Sequence, residues 1–199
     1  MEVKLVLVLQ YKVIDNKFYN IKEILKEEFN ISDRLLKRLK TNNKIYLNNS
    51  PINLNFADLK ANDIVSVDLN FDEDYDNIIP VEMNLNIIYE DNYLLIINKP
   101  AGVPIHPSCN HFSDSLSNGV KFYFDSIGLK RKIRIVNRLD KDTSGIVIFA
   151  KNEYVQEILI RQMKANSFKK EYIAVLDGIL SEKEGTISAP IARKDKSII

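Results

Sequence analysis

Residues 70–80, Asn-Phe-Asp-Glu-Asp-Tyr-Asp-Asn-Ile-Ile-Pro, break the chain in two. The stretch is acidic, short of strand formers at its centre, and closes on a proline, which lacks a backbone donor and restrains its neighbour. A single hydrophobic core is not expected to run through it. The 199 residues therefore divide into a small amino-terminal unit, 1–70, a linker, 71–82, and a larger unit, 83–199. Apolar residues make up 45% of the chain, enough to fill a core on both sides of the break and to exclude a disordered chain.

The charges are segregated in the same way. The totals, 28 Lys+Arg against 27 Asp+Glu, nearly cancel. Yet Arg34, Lys37, Arg38, Lys40 and Lys44 follow one another with no acid between them. Asp68, Asp72, Glu73, Asp74, Asp76 and Glu82 then follow with no base between them. A neutral protein with locally basic surfaces can still draw in a polyanion, because the local potential acts on the partner. The lone Cys109 excludes an internal disulfide and fits a reducing compartment. The apolar run Leu5–Leu9 is too short for a secretory signal and is flanked by Glu2 and Lys12. No run approaches the ~20 apolar residues that cross a bilayer. A cytoplasmic protein with no membrane partner is expected.

In the first unit, Leu5–Val13 alternates like a strand, and Tyr19–Glu28 places Ile21, Ile24 and Leu25 at helical spacing. Ser32 is a suitable N-cap for a helix over Asp33–Lys40, with Asp33 favourably placed in its first turn. Ile31, Leu35 and Leu39 should face the core, leaving Arg34, Lys37 and Arg38 together on a neighbouring stripe. Lys44–Leu47 and Asp63–Leu69 are expected strands around the Asn48-Asn49 turn. In the second unit, strands are expected over Asn86–Glu90, Tyr93–Lys99, Ile133–Val136, Ile146–Lys151, Lys169–Leu176 and Thr186–Ser188. Helices are expected over Ser115–Phe124 and Glu153–Asn166, and a Pro/Gly-bound loop over Pro100–Ser108. Strand pairs with interspersed helices predict an α+β fold on a largely antiparallel sheet.

Between the apolar runs Ile133–Val136 and Ile146–Ala150 lies Asn-Arg-Leu-Asp-Lys-Asp-Thr-Ser-Gly. Asp, Thr, Ser and Gly are turn residues, and Gly145 suits a positive φ. Two features exceed a plain turn. Arg138-Leu139-Asp140 sets an apolar residue between a cation and an anion where a strand ends, and the loop is longer than a hairpin requires. Where Arg138 meets Asp140 it would keep the carboxylate ionised, as a nucleophile must be. One carboxylate without a second acid, metal ligands or a nearby histidine fits neither a hydrolase dyad nor a metal site.

Arg138-Leu139-Asp140-Lys141-Asp142-Thr143-Ser144-Gly145 closely resembles the catalytic-loop signature of the RluA-type pseudouridine synthases. Three further segments are similar to family motifs in order and spacing: residues 87–108, Lys169–Gly178 and Gly185–Asp195. Residues 20–54 and 59–69 resemble the small RNA-binding domain first described in ribosomal protein S-four, with Asn62-Asp63 before the last strand. The resemblance implies an S-four-like domain followed by a mainly antiparallel synthase domain. It implies that Asp140 forms a covalent adduct with the target nucleotide, that Tyr172 packs against the target base, and that Arg138 enters the gap left by a flipped nucleotide. It further implies RNA binding by Arg34, Lys37, Arg38 and Lys40 through phosphate contacts. Ribosomal RNA of the large subunit is the expected partner, with transfer RNA the other candidate; no cofactor and no metal are implied. Lys99, Pro100, Gly102 and His106 are expected to shape the loop beside the site. Asn137 stands where many relatives have His. The family continues with Thr-Gly-Arg-x-His-Gln-Ile-Arg, whose first arginine pairs with the catalytic aspartate. Nothing in residues 1–199 resembles that segment, so a truncated synthase domain is expected. The competing expectation is a non-catalytic RNA-binding protein.

Overall fold

The computed structural model describes residues 7–14, 18, 20–54, 59–73 and 77–190. The chain forms two compact units, Met1–Phe168 and Lys169–Ile199. Among the described residues, every strand and helix belongs to the first.

That unit holds two four-stranded antiparallel sheets. The first contains β1 (Val8–Lys12), β2 (Ile45–Leu47), β3 (Ser50–Pro51) and β4 (Ile64–Asp68), in the order β1-β4-β2-β3. Its helices are α1 (Ile21–Glu23), which runs into a π-helical turn at Ile24–Glu28, and α2 (Asp33–Thr41). The expected beginnings at Leu5 and Tyr19 lie outside the described residues. Asn20 caps α1 by accepting from the Glu23 amide at 3.0 Å, and Ser32 caps α2 by accepting from the Leu35 amide at 3.4 Å. Ile21, Ile24, Leu25, Ile31, Leu35 and Leu39 are buried against Ile45, Val65 and Val67. Fully burying each such side chain is worth about 1.5–3 kcal/mol.

The Asn48-Asn49 turn differs from the expectation. It joins β2 to the short β3, while β4 pairs on the other side of β2. Both asparagines have positive φ, 49° and 67°, the conformation that a two-residue hairpin demands. The turn chemistry was legible, but the residues after it, Ser50 and Pro51, did not read as a strand.

The second sheet contains β5 (Ile87–Glu90), β6 (Leu94–Lys99), β7 (Arg134–Ile135) and β8 (Gly145–Ala150), in the order β5-β6-β8-β7. Leu95, Ile97, Val147 and Phe149 face one side and bury Leu116, Val120 and Phe124 of α3 (Leu116–Ser126). Helix α4 (Glu153–Lys164) starts from Asn152, whose side chain accepts from the Val155 amide at 2.9 Å. Its Tyr154 packs on the first core, so α4 touches both halves of the unit.

The described start of the acidic segment is packed in. Phe71 is 8% exposed and Glu73 only 6%. The Arg38 guanidinium lies 3.9 Å from the Phe71 ring centroid, a cation–π contact. Glu73 receives Arg134 through both carboxylate oxygens, at 2.5 and 2.7 Å, and Arg38 at 2.5 Å. Arg38 also reaches Glu153 of α4 at 2.9 Å. Two cations and two anions thus close a network where the two cores meet.

The expected strands Lys169–Leu176 and Thr186–Ser188 are absent from the described residues, 169–190, which contain neither strand nor helix. Ile173 is 102% exposed and Val175 99%. Alternation alone does not make a strand: its backbone groups need a neighbouring ladder and its apolar face needs a surface to cover.

Candidate active site

Asp140 lies between β7 and β8, on a turn in which its carbonyl accepts from the Thr143 amide at 3.2 Å. Four interactions hold this turn. The amide of Val136 donates to the Ile148 carbonyl at 2.8 Å, prolonging the β7–β8 pairing by one residue. The Asn137 side chain then takes over, donating to the Ile146 carbonyl at 2.8 Å and accepting from the Ile148 amide at 2.9 Å. It acts as a substitute strand residue, a role an amide fills with both its donor and its acceptor. Leu139 packs on the second core. It lies 3.8 Å from where a side chain on Gly145 would begin, and Gly145 has φ 128°.

The role of an apolar residue between two charges is now plain. Leu139 points into the protein and anchors the turn, which leaves Arg138 and Asp140 on either side of it exposed. Among the described residues no ion pair joins the two.

The far end of the turn is fixed by a buried lysine. Along β6, Leu95, Ile97 and Lys99 alternate inward, and Lys99 is 0% exposed. Its ammonium donates to the carbonyls of Pro100 at 2.9 Å, Val103 at 2.9 Å and Lys141 at 2.8 Å. All three of its protons are used, as a buried charge requires. Burial pushes the Lys99 ammonium below its ordinary range, while the charge of Asp142 acts the other way. The Lys141 carbonyl accepts a second bond from the Gly102 amide at 2.9 Å, and Gly102 has φ 83°. The Pro100–Ser108 loop is tied in turn to α3, whose Leu116 and Ser117 amides reach the Pro104 and Ile105 carbonyls at 2.8 and 3.0 Å. The backbone on both sides of Asp140 is thus held, while its carboxylate stays exposed. His106 is exposed.

Of the other residues singled out in the sequence, Arg34, Lys37 and Lys40 are exposed along α2. Arg38 is not with them: its guanidinium is committed to Glu73, Glu153 and Phe71. Burial opposes its charge, but the two carboxylates outweigh burial and raise its pKa. Tyr172 belongs to the Lys169–Ile199 unit and is 63% exposed. Sequence reasoning missed His111 and Asp114, which lie beside Lys141 in space but distant in the chain. Among the described residues no group of three or more His, Cys, Asp or Glu could hold a metal ion, and no helix is long and apolar enough to cross a membrane.

The braced turn thus presents two exposed aspartates, Asp140 and Asp142, beside an antiparallel sheet. The profile of the RNA pseudouridylate synthases matches residues 93–199, and the chain belongs to that family. It is 35% identical over 170 residues to the uncharacterised RNA pseudouridine synthase YhcT of Bacillus subtilis, covering 85% of this chain and 56% of that one. It is 32% identical over 159 residues to the ribosomal large subunit pseudouridine synthase D of Pasteurella multocida, covering 78% and 48%. An uncharacterised RNA pseudouridine synthase of Aquifex aeolicus is 30% identical over 189 residues, covering 94% and 60%. The chain spans about half to three-fifths of the length of these relatives.

Proposed function

We propose that this protein isomerises uridine to pseudouridine in RNA, with ribosomal RNA of the large subunit as its substrate. The observation that carries the reading is the braced presentation of Asp140 inside the segment matched by the family profile. In the proposed reaction Asp140 forms a covalent adduct with a nucleotide flipped out of its stack. The bond from uracil nitrogen to the sugar breaks, the base turns, the carbon at position five takes its place on the sugar, and the bond to Asp140 breaks to return the free carboxylate. The proton lost from that carbon goes to solvent. Arg138, exposed and one residue beyond Asn137, is suited to enter the gap left by the base. Tyr172 supplies a ring for stacking. The relative from Pasteurella multocida, whose name specifies the ribosomal large subunit, supports the choice of RNA.

Residues 1–70 act in this reading as an S-four-like RNA-binding domain and 71–82 as its junction to the synthase part, 83–199. Arg34, Lys37 and Lys40 of α2 grip the RNA backbone, and Arg38 positions that helix through Glu73 and Glu153.

The test of the activity is tritium release from RNA labelled at carbon five of uridine, in proportion to enzyme. RNA binding without any release would leave a binding protein only. The test of the basic face is the salt dependence of RNA affinity. Replacing Arg34, Lys37 and Lys40 together by Ala should flatten the plot of log affinity against log salt by about two to three units, since each neutralised phosphate contributes a slope of about 0.7–0.9. An unchanged slope would reduce this face to ordinary solvated charge.

A further inference from the structure

Beside the turn, a second loop carries a chain of charges that the braced aspartate does not explain. Residues 108–111 form a tight hairpin in which Ser108 and His111 exchange backbone hydrogen bonds, at 3.1 and 2.9 Å. This fixes the backbone of His111. Its Nδ1 lies 2.6 Å from the Asp114 carboxylate, and its Nε2 lies 3.3 Å from the Lys141 ammonium. The neighbours assign the tautomer. A carboxylate only accepts and an ammonium only donates, so Nδ1 carries the proton toward Asp114 and Nε2 offers its lone pair to Lys141. The imidazole thus links an anion to a cation.

The arrangement contacts Lys141 at both ends. Its carbonyl is held by Lys99 and Gly102, and its ammonium by His111. A free lysine side chain loses rotamer freedom when a ligand orders it; the His111 contact already restrains this one. The His111 contact takes one of three ammonium protons, and Lys141 itself is exposed. Its remaining donors are available to an incoming acceptor, one residue from Asp140.

We propose that Lys141, oriented by the Asp114–His111 pair, grips a phosphodiester flanking the target nucleotide and so fixes the strand over Asp140. This rests on the synthase reading above. A base that rotates out of its stack swings about its own backbone, and a clamp on the adjacent phosphate keeps that pivot in place. Lys141 touches the substrate; His111 and Asp114 are positioning residues.

Lys141→Met, His111→Leu and His111→Gln test the assignment in two measurements. The first is RNA affinity at several salt concentrations, measured on proteins that also carry Asp140→Asn so that no turnover intervenes. Lys141→Met should lose about one phosphate's worth of slope, a loss of affinity between 50 and 200 mM salt that is roughly threefold smaller than for the parent. The second is steady-state tritium release. Lys141→Met should raise KM by a larger factor than it lowers kcat. His111→Leu should raise KM in the same direction, and His111→Gln, whose amide oxygen can still accept from Lys141, should restore it toward the parent value. An unchanged salt slope for Lys141→Met overturns the proposal, as does equal behaviour of His111→Leu and His111→Gln. The synthase reading fails separately, by absence of tritium release from the parent protein, while the salt slope continues to report on the phosphate contact.

Discussion

Asp140→Asn should reduce tritium release by on the order of a thousandfold or more, because it removes the nucleophile of the proposed reaction and leaves its surroundings in place. The substitution is nearly isosteric. Asp140 is exposed, and the turn is held by Asn137, Leu139, Lys99 and the Asp140 backbone, with no need of its carboxylate. Folding stability should therefore stay within about 0.5 kcal/mol, and RNA affinity should be nearly intact. The informative control is Asp142→Asn, two residues on along the same turn, also exposed and of the same charge. It should retain release within about twofold, as befits a surface substitution away from the reacting atoms. Equal losses at both positions would mean that the turn needs net negative charge, and undiminished release by Asp140→Asn would sink the catalytic assignment.

How much of this was legible in the sequence depended on how local the cause was. Helix α2 lay open to view because Ser32, Asp33 and the apolar residues 31, 35 and 39 specify its start and its inner face within a few turns. The braced lysine was half visible: period-two alternation in Leu95, Ile97 and Lys99 puts the lysine on the inward face, although nothing local says which carbonyls receive it. The anchor role of Leu139 follows the same rule, since an apolar residue between two charges at a strand end has to go somewhere. The junction was not legible. Glu73 meets Arg134 across 61 positions of the chain, and an acidic run reads as solvated until a partner arrives from elsewhere. The reading of Lys169–Leu176 failed for the opposite reason. Its alternation is strong, but strand formation is a property of a pair, and the described residues offer it no ladder.

The junction carries the largest expected effect on stability. Glu73 has a side chain only 4% exposed and serves two guanidinium groups, Arg134 at 9% exposure and Arg38 at 27%. Glu73→Gln keeps the shape and removes the charge. It leaves Arg134 buried without its anion and places it near Arg38, whose remaining carboxylate partner is Glu153. Removing one member of a buried pair costs about 3–5 kcal/mol, and in a chain of this size that lowers Tm on the order of 10 °C. The double substitution Glu73→Leu with Arg134→Met should cost less than Glu73→Gln alone, because no charge is then left buried without a partner. The pH dependence follows from the same carboxylate. Burial would raise its pKa, but Arg134 and then Arg38 outweigh burial and hold it below the ordinary range. A depressed folded-state pKa gives stability that is fully present above the unfolded value, about 4.3, and is lost as pH falls through the folded one. The gap in Tm between the parent and Glu73→Gln should accordingly be wide at neutral pH and narrow progressively below about pH 4. Thermal unfolding of the three proteins across that range measures it. A gap that did not narrow would assign the loss to altered packing around residue 73. A cost below about 1 kcal/mol at neutral pH, the value of an exposed pair, would mean that the two halves of the unit are held together by Phe71 and Tyr154 without help from the charges between them.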